Sequence, residues 1–189
     1  GAVVNYTETF GTGTGLVTGL TVTSGGVAVN SVSGDPKAYY GVLYTPVNSV
    51  TSGYLNLYFW SGAGTVTITF PTDAQPTSFQ FDYTYMNMAN TVVLHYADGT
   101  SSSAATVPYI DCGPSVGCGT YSSAGNGKKI ASFDINTLAY EVWYIDNITW
   151  GASKPGITTT HTILASSGDI GVSGGTGSRT FSMPADSGI

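Results

Sequence analysis

A chain of 189 residues can bury one sizeable core but leaves no room for a second complete domain. Only 8% of its residues are charged, against 26 Gly and 13 Tyr, so hydroxyls, amides and glycine must make its surface, a composition common outside the cell. Five basic against 11 acidic residues give a net charge of −6, which argues against nucleic acid and anionic membranes as partners. No run approaches the roughly 18 apolar residues of a spanning helix, which argues against membrane insertion.

Gly1-Ala2-Val3-Val4 carries neither an initiator Met nor a basic and apolar leader, and reads as a processed or trimmed start. Short alternating runs bounded by Gly, Pro, Asn and Asp follow, predicting strands at Val4 to Phe10, Leu16 to Val22, Val27 to Val32, Tyr39 to Tyr44 and Tyr54 to Trp60. In Thr65-Val66-Thr67-Ile68-Thr69-Phe70 the apolar side chains point one way and the threonines the other, which predicts a half-buried strand. Beyond Pro71 and Pro76, the aromatics of Phe79 to Tyr85 alternate with Ser78, Gln80, Asp82 and Thr84. Val92, Leu94 and Tyr96 come next, and the two runs predict an antiparallel pair. An Asp98-Gly99 turn closes it.

Cys112 and Cys118 flank a loop-like run with a Gly-Pro pair, which suits a disulfide closing a small loop; two free thiols are the alternative. A zinc site would want four ligands, and His95 and His161 lie far apart in sequence. Lys128-Lys129 reads as an exposed turn before a strand at Ile130 to Ile135. Within the strand from Tyr140 to Trp150 the apolar positions change parity, Trp143 and Ile145 on one face and Ile148 and Trp150 on the other, and a bulge at Asp146-Asn147 would repair this. From Gly151 the texture turns Thr-, Ser- and Gly-rich, with β-like pieces at Ile157 to Ala165 and Arg179 to Met183. Ser153 to Gly156 therefore reads as a boundary between a domain over 1–150 and an extension over 151–189. Such an extension orders only by pairing, in its own sheet or a neighbour's, as a donor strand or the start of a following module.

About ten short strands at this spacing predict an all-β fold, two packed antiparallel sheets of the jelly-roll or β-sandwich type with a β-rich C-terminal extension. Asn5-Tyr6-Thr7-Glu8-Thr9-Phe10, Thr67 to Pro71, Ser78 to Tyr83, Tyr96 to Gly99 and Trp143 to Trp150 together resemble bacterial exported jelly-roll modules. Modules of this kind occur in surface or matrix proteins and as carbohydrate-binding modules. The resemblance spans residues 1–150 and implies a non-catalytic module outside the cell or on its surface. It also implies a structural calcium, Ca2+, with Glu8 and Asp146 as ligands and backbone carbonyls or Asp35 completing the shell. The alternative is a solvated Glu8 and an Asp146 that caps the bulge.

Three functions follow. The first is an adhesive or structural subunit that associates with copies of itself or other surface proteins, forming a filament by lending Val3 to Phe10 or Ile157 to Ala165 as a strand. The second is glycan binding on a sheet face that carries Tyr54, Asn56, Tyr58 and Trp60 beside Gln80, Asp82 and His95; a strand buried on both sides is the competing reading of Tyr54 to Trp60. A polysaccharide-active enzyme is the third and has least behind it: Glu8 and Glu141 are the two glutamates, neither sits in a distinctive motif, and no Gly-x-Ser-x-Gly elbow precedes a helix. Asn5 and Asn147 each begin an Asn-x-Thr acceptor for glycosylation.

Overall fold

The computed structural model describes residues 3–10, 13–16, 18–25, 28–32, 54–58, 63–85, 90–113, 116–137, 141–153, 158–161 and 178–182, and among these it contains strands, turns and no helix. The alternation in the sequence decides which way each strand faces. Val66, Ile68 and Phe70 turn inward from β6 (Gly64–Thr69) and its end, as do Phe79, Phe81, Tyr83 and Tyr85 from β7 (Phe79–Tyr85) and Val92, Leu94 and Tyr96 from β8 (Thr91–Tyr96). Phe133 and Ile135 of β12 (Ile130–Thr137) join them, and Phe79 stacks on Phe133 with ring centroids 4.4 Å apart. Burying large side chains of this kind contributes roughly 1.5–3 kcal/mol each before entropy is counted.

Two antiparallel sheets sandwich this core. Sheet I has seven strands in the order β10 (Asp111–Gly113), β11 (Val116–Ser122), β7, β13 (Val142–Ala152), β5 (Tyr54–Tyr58) and β4 (Ala28–Val32), with β1 (Val4–Glu8) also paired to β13. Sheet II has six, in the order β15 (Ser178–Ser182), β3 (Thr21–Gly25), β6, β12, β8 and β9 (Ala105–Thr106). A separate two-stranded sheet joins β14 (Thr158–His161) to β2 (Gly13–Leu16). Both β-like pieces of the C-terminal extension therefore pair within the chain, β14 on β2 and β15 on β3. Both segments expected to be lent to a neighbour also contribute strands paired at home, since β1 lies along β13 from Val4↔Ala152 to Glu8↔Ile148.

The expected bulge is present. Asp146 pairs with Asp82 but Thr149 with Gln80, so the register shifts between them, and Asn147 is left-handed at φ 51°. One extra residue returns Ile148 and Trp150 to the core beside Trp143 and Ile145. The expected β7–β8 hairpin is not formed. β7 lies between β11 and β13 in sheet I, whereas β8 lies between β12 and β9 in sheet II, so the chain changes sheet after Tyr85. Each strand is paired on both sides within its own sheet, and that pairing outweighs their proximity in sequence. The strand expected at Leu16 to Val22 is two shorter ones, β2 and β3, and Tyr39 to Tyr44 lies outside the described residues.

Candidate functional site

The outer side of sheet I is built from the residues that alternate with its core. On β7 these are Gln80, exposed, Asp82, half-buried, and Thr84, buried; on β11 they are Ser122 and Thr120, exposed, and Cys118, buried. The face is thus open at one end and closed at the other. Rows across it follow the registers: Thr7, Thr149, Gln80 and Ser122 in one, Asp146, Asp82 and Thr120 in the next. Over the open half lies a depression of about 430 Å³, lined by Asn5, Thr7, Gln80, Ser122, Thr149 and their neighbours. Gly151 lines it too, and a Cβ there would lie 3.1 Å from Val3 Cγ1 and 3.4 Å from Asn5 Oδ1, so a side chain would crowd the side of this depression.

Asp82 anchors the open half. Its Oδ1 accepts from Thr120 Oγ1 at 2.6 Å and its Oδ2 from Asn147 Nδ2 at 2.9 Å, while the Asn147 N–H donates to Asp146 Oδ1 at 2.8 Å. The bulge that re-phases β13 therefore also fixes a carboxylate one row from the residues that line the depression. Amides, hydroxyls and a hydrogen-bonded carboxylate on one sheet face are donors and acceptors suited to the hydroxyls of a neutral polar ligand.

The closed half holds two residues that the glycan reading placed on the surface. Tyr54 and Asn56 are 0% exposed, as are Leu55 and Leu57 between them, so this stretch is buried on both sides. Tyr54 packs edge-on against Tyr144, their centroids 5.3 Å apart, and this aromatic contact rather than solvent occupies the outer side of β5. The side chain of Tyr58 and all of Trp60 lie outside the described residues.

His95 belongs elsewhere. It stands on β8 in sheet II and faces the opposite side of the sandwich from Gln80 and Asp82, because the chain changes sheet between them. There its Nε2 pairs with Asp134 Oδ2 at 2.6 Å and its Nδ1 with Ser101 Oγ at 2.8 Å; Thr67 Oγ1 donates to Asp134 Oδ1 at 2.6 Å. Ser, His and Asp do meet in this row, but neither Ser101 nor His95 lines the outer-face depression.

Glu8 is fully buried and pairs across the ladder with the core residue Ile148, whereas the buried Asp146 belongs to the outer-face row with Asp82. Glu8 Oε2 accepts from the Phe10 N–H at 3.0 Å and Oε1 from Thr18 Oγ1 at 2.7 Å. Among the described residues no three His, Cys, Asp or Glu side chains gather as a metal set, so a calcium here would draw most of its oxygens from carbonyls and hydroxyls. Asp35 lies outside the described residues. Cys112 and Cys118 form the expected disulfide, their Cα atoms 5.9 Å apart, and it ties β10 to β11. Of the two glycosylation acceptors, Asn5 is exposed and Asn147 is half-buried with its amide engaged by Asp82.

Sequence reasoning found Gln80 and Asp82 but missed Thr120 and Ser122, because Gly117 and Gly119 hide the strand that carries them. Tyr109 lies across Gly117, where a Cβ would come within 2.6 Å of its ring, and the Tyr83 hydroxyl would lie 2.9 Å from a Cβ at Gly119. The parity change marked Asp146-Asn147 as a bulge, but nothing local marked the Asn147 amide as a partner of Asp82.

No family model matches this chain, and no curated protein matches it. Its fold is similar to that of solved family 29 carbohydrate-binding modules. A variant complexed with mannohexaose is 11% identical, with a TM-score of 0.51 and cover of 80% of this chain and 93% of that one. A second variant of the same module is 12% identical, with a TM-score of 0.50 and cover of 79% and 93%. Likenesses at this identity show the fold alone: this chain is a two-sheet β-sandwich built like a carbohydrate-binding module.

Proposed function

We propose that this chain is a non-catalytic carbohydrate-binding module working outside the cell, and that it holds a neutral glycan on the open half of the outer face of sheet I. One observation carries the reading: a depression whose walls supply the amides of Asn5 and Gln80 and the hydroxyls of Thr7, Thr149 and Ser122, with Asp82 one row further along the same face and held there by Thr120 and Asn147. A carbohydrate hydroxyl both donates and accepts, and it is bound best by groups that need not be ordered on binding. The mannohexaose complex of a module with this fold supports the same class of ligand, and the Cys112–Cys118 disulfide supports an oxidising compartment.

Binding here depends on hydrogen bonds rather than on stacking. Among the described residues β7 has no outward ring, the outward Tyr144 of β13 lies in the closed half, and Tyr6, Phe79 and Trp150, which border the depression, turn their rings into the core. The test is calorimetric titration with mannohexaose alongside an array of neutral glycans. Gln80→Ala is expected to weaken binding by roughly fivefold to tenfold, the loss of one or two hydrogen bonds. An array with no bound glycan would defeat the reading.

A further inference from the structure

The outer-face depression does not stop at β11. Ser122 lines it and also lines a second one, of about 470 Å³, lying between the two sheets where β11 meets β8 and β9. Thr120, whose hydroxyl holds Asp82, lines the second as well. The β11 edge is a rim common to both.

Beyond that rim the chemistry changes. Tyr96 and Tyr121 form the interior wall with Leu94, each phenol ring showing only its margin to solvent at 9% and 8% exposure. Pro108 adds to that wall and is fixed in place by the Tyr83 hydroxyl, which donates to its carbonyl at 2.5 Å. Hydroxyls from Ser103 and Thr106 line the mouth, and no lining residue carries a charge. The volume falls within the roughly 300–1,000 Å³ of small-molecule sites. A wholly apolar guest would leave hydroxyls facing carbon, and an ion would meet no counter-charge. A pyranose ring, with C–H faces and hydroxyl edges, suits both kinds of wall.

We propose that this cleft receives a single neutral sugar that branches from, or terminates, the glycan held on the outer face, so that the module selects glycans that turn the β11 edge over straight ones. The inference rests on the carbohydrate reading of that face.

The experiment uses paired oligosaccharides: β-mannan with and without galactosyl branches, and β-glucan with and without xylosyl branches. Ala105→Trp and Ala124→Trp each fill the cleft from an exposed wall position, one on each side, and thermal melting checks that both fold. The wild-type chain is expected to bind at least one branched member roughly tenfold tighter than its linear partner. Both Trp variants should erase that preference and leave linear binding unchanged. Equal binding of linear and branched partners, indifferent to both Trp variants, would overturn the cleft while leaving the outer face standing. Absence of binding to every member would remove the outer-face reading and the cleft with it.

Discussion

Asn147 does two separable things, and two substitutions divide them. Its backbone is left-handed at φ 51°, which returns Ile148 and Trp150 to the core, and its side-chain amide donates to Asp82 at 2.9 Å. Asn147→Gly keeps the backbone and loses the amide, a loss of about 1 kcal/mol because water can reach the half-buried Asp82 in its place. Asn147→Ala loses the same amide and also puts a Cβ into the left-handed region, adding about 1 kcal/mol for a total near 2 kcal/mol. For a domain of this size each kcal/mol moves the melting temperature by about 2–4 °C, so the glycine variant should lose about 2–4 °C and the alanine variant about 4–8 °C. Reversible thermal unfolding followed by near-ultraviolet circular dichroism at pH 7 measures both. A glycine variant as unstable as the alanine one would refute the left-handed bulge.

Three further outcomes follow from local chemistry. Hydrogen bonds from the Thr100 hydroxyl and N–H, together with Lys128, hold the Asp98 carboxyl at about 2, below its ordinary 3.8. A carboxyl depressed on folding adds stability that is complete above pH 3.8 and is lost as pH falls through about 2. Carbon-detected titration should therefore place Asp98 low, and Asp98→Asn should flatten the acid limb of the melting curve. Millimolar calcium should raise the melting temperature over chelator in the native chain but not in Glu8→Gln; identical curves for the native chain would dispose of the metal. Reducing Cys112–Cys118 opens a small loop and should cost about 2–3 kcal/mol, or about 4–12 °C, whereas an unchanged melt would show that β10 and β11 are held without it.

The core was legible because its strands alternate: β6 and β7 place their apolar residues two apart, β8 does so at Val92, Leu94 and Tyr96 with Val93 as an extra outward apolar residue, and the parity change in β13 is visible as two misaligned apolar pairs. What alternation does not encode is which strands meet. β7 and β8 looked like a hairpin, yet each is claimed by other partners, and that separation carries His95 to the far side from Asp82. Glycines placed by tertiary crowding are equally silent. Gly117 gives way to the Tyr109 ring and Gly119 to the Tyr83 hydroxyl, so β11, which carries Thr120 and Ser122, has no apolar rhythm of its own. Tyr54 and Asn56 show the converse difficulty, since an alternating strand gives its two faces but not whether the second is covered.

Side-by-side titration of the native chain, Gln80→Ala, Asp82→Ala and His95→Ala with the glycan the native chain binds best tests the central claim most directly. Heat of binding should fall in the first two variants and hold steady in His95→Ala, whose side chain stands on the opposite sheet. Retained affinity in both Gln80→Ala and Asp82→Ala, or its loss in His95→Ala, would contradict a glycan seated on the open half of sheet I.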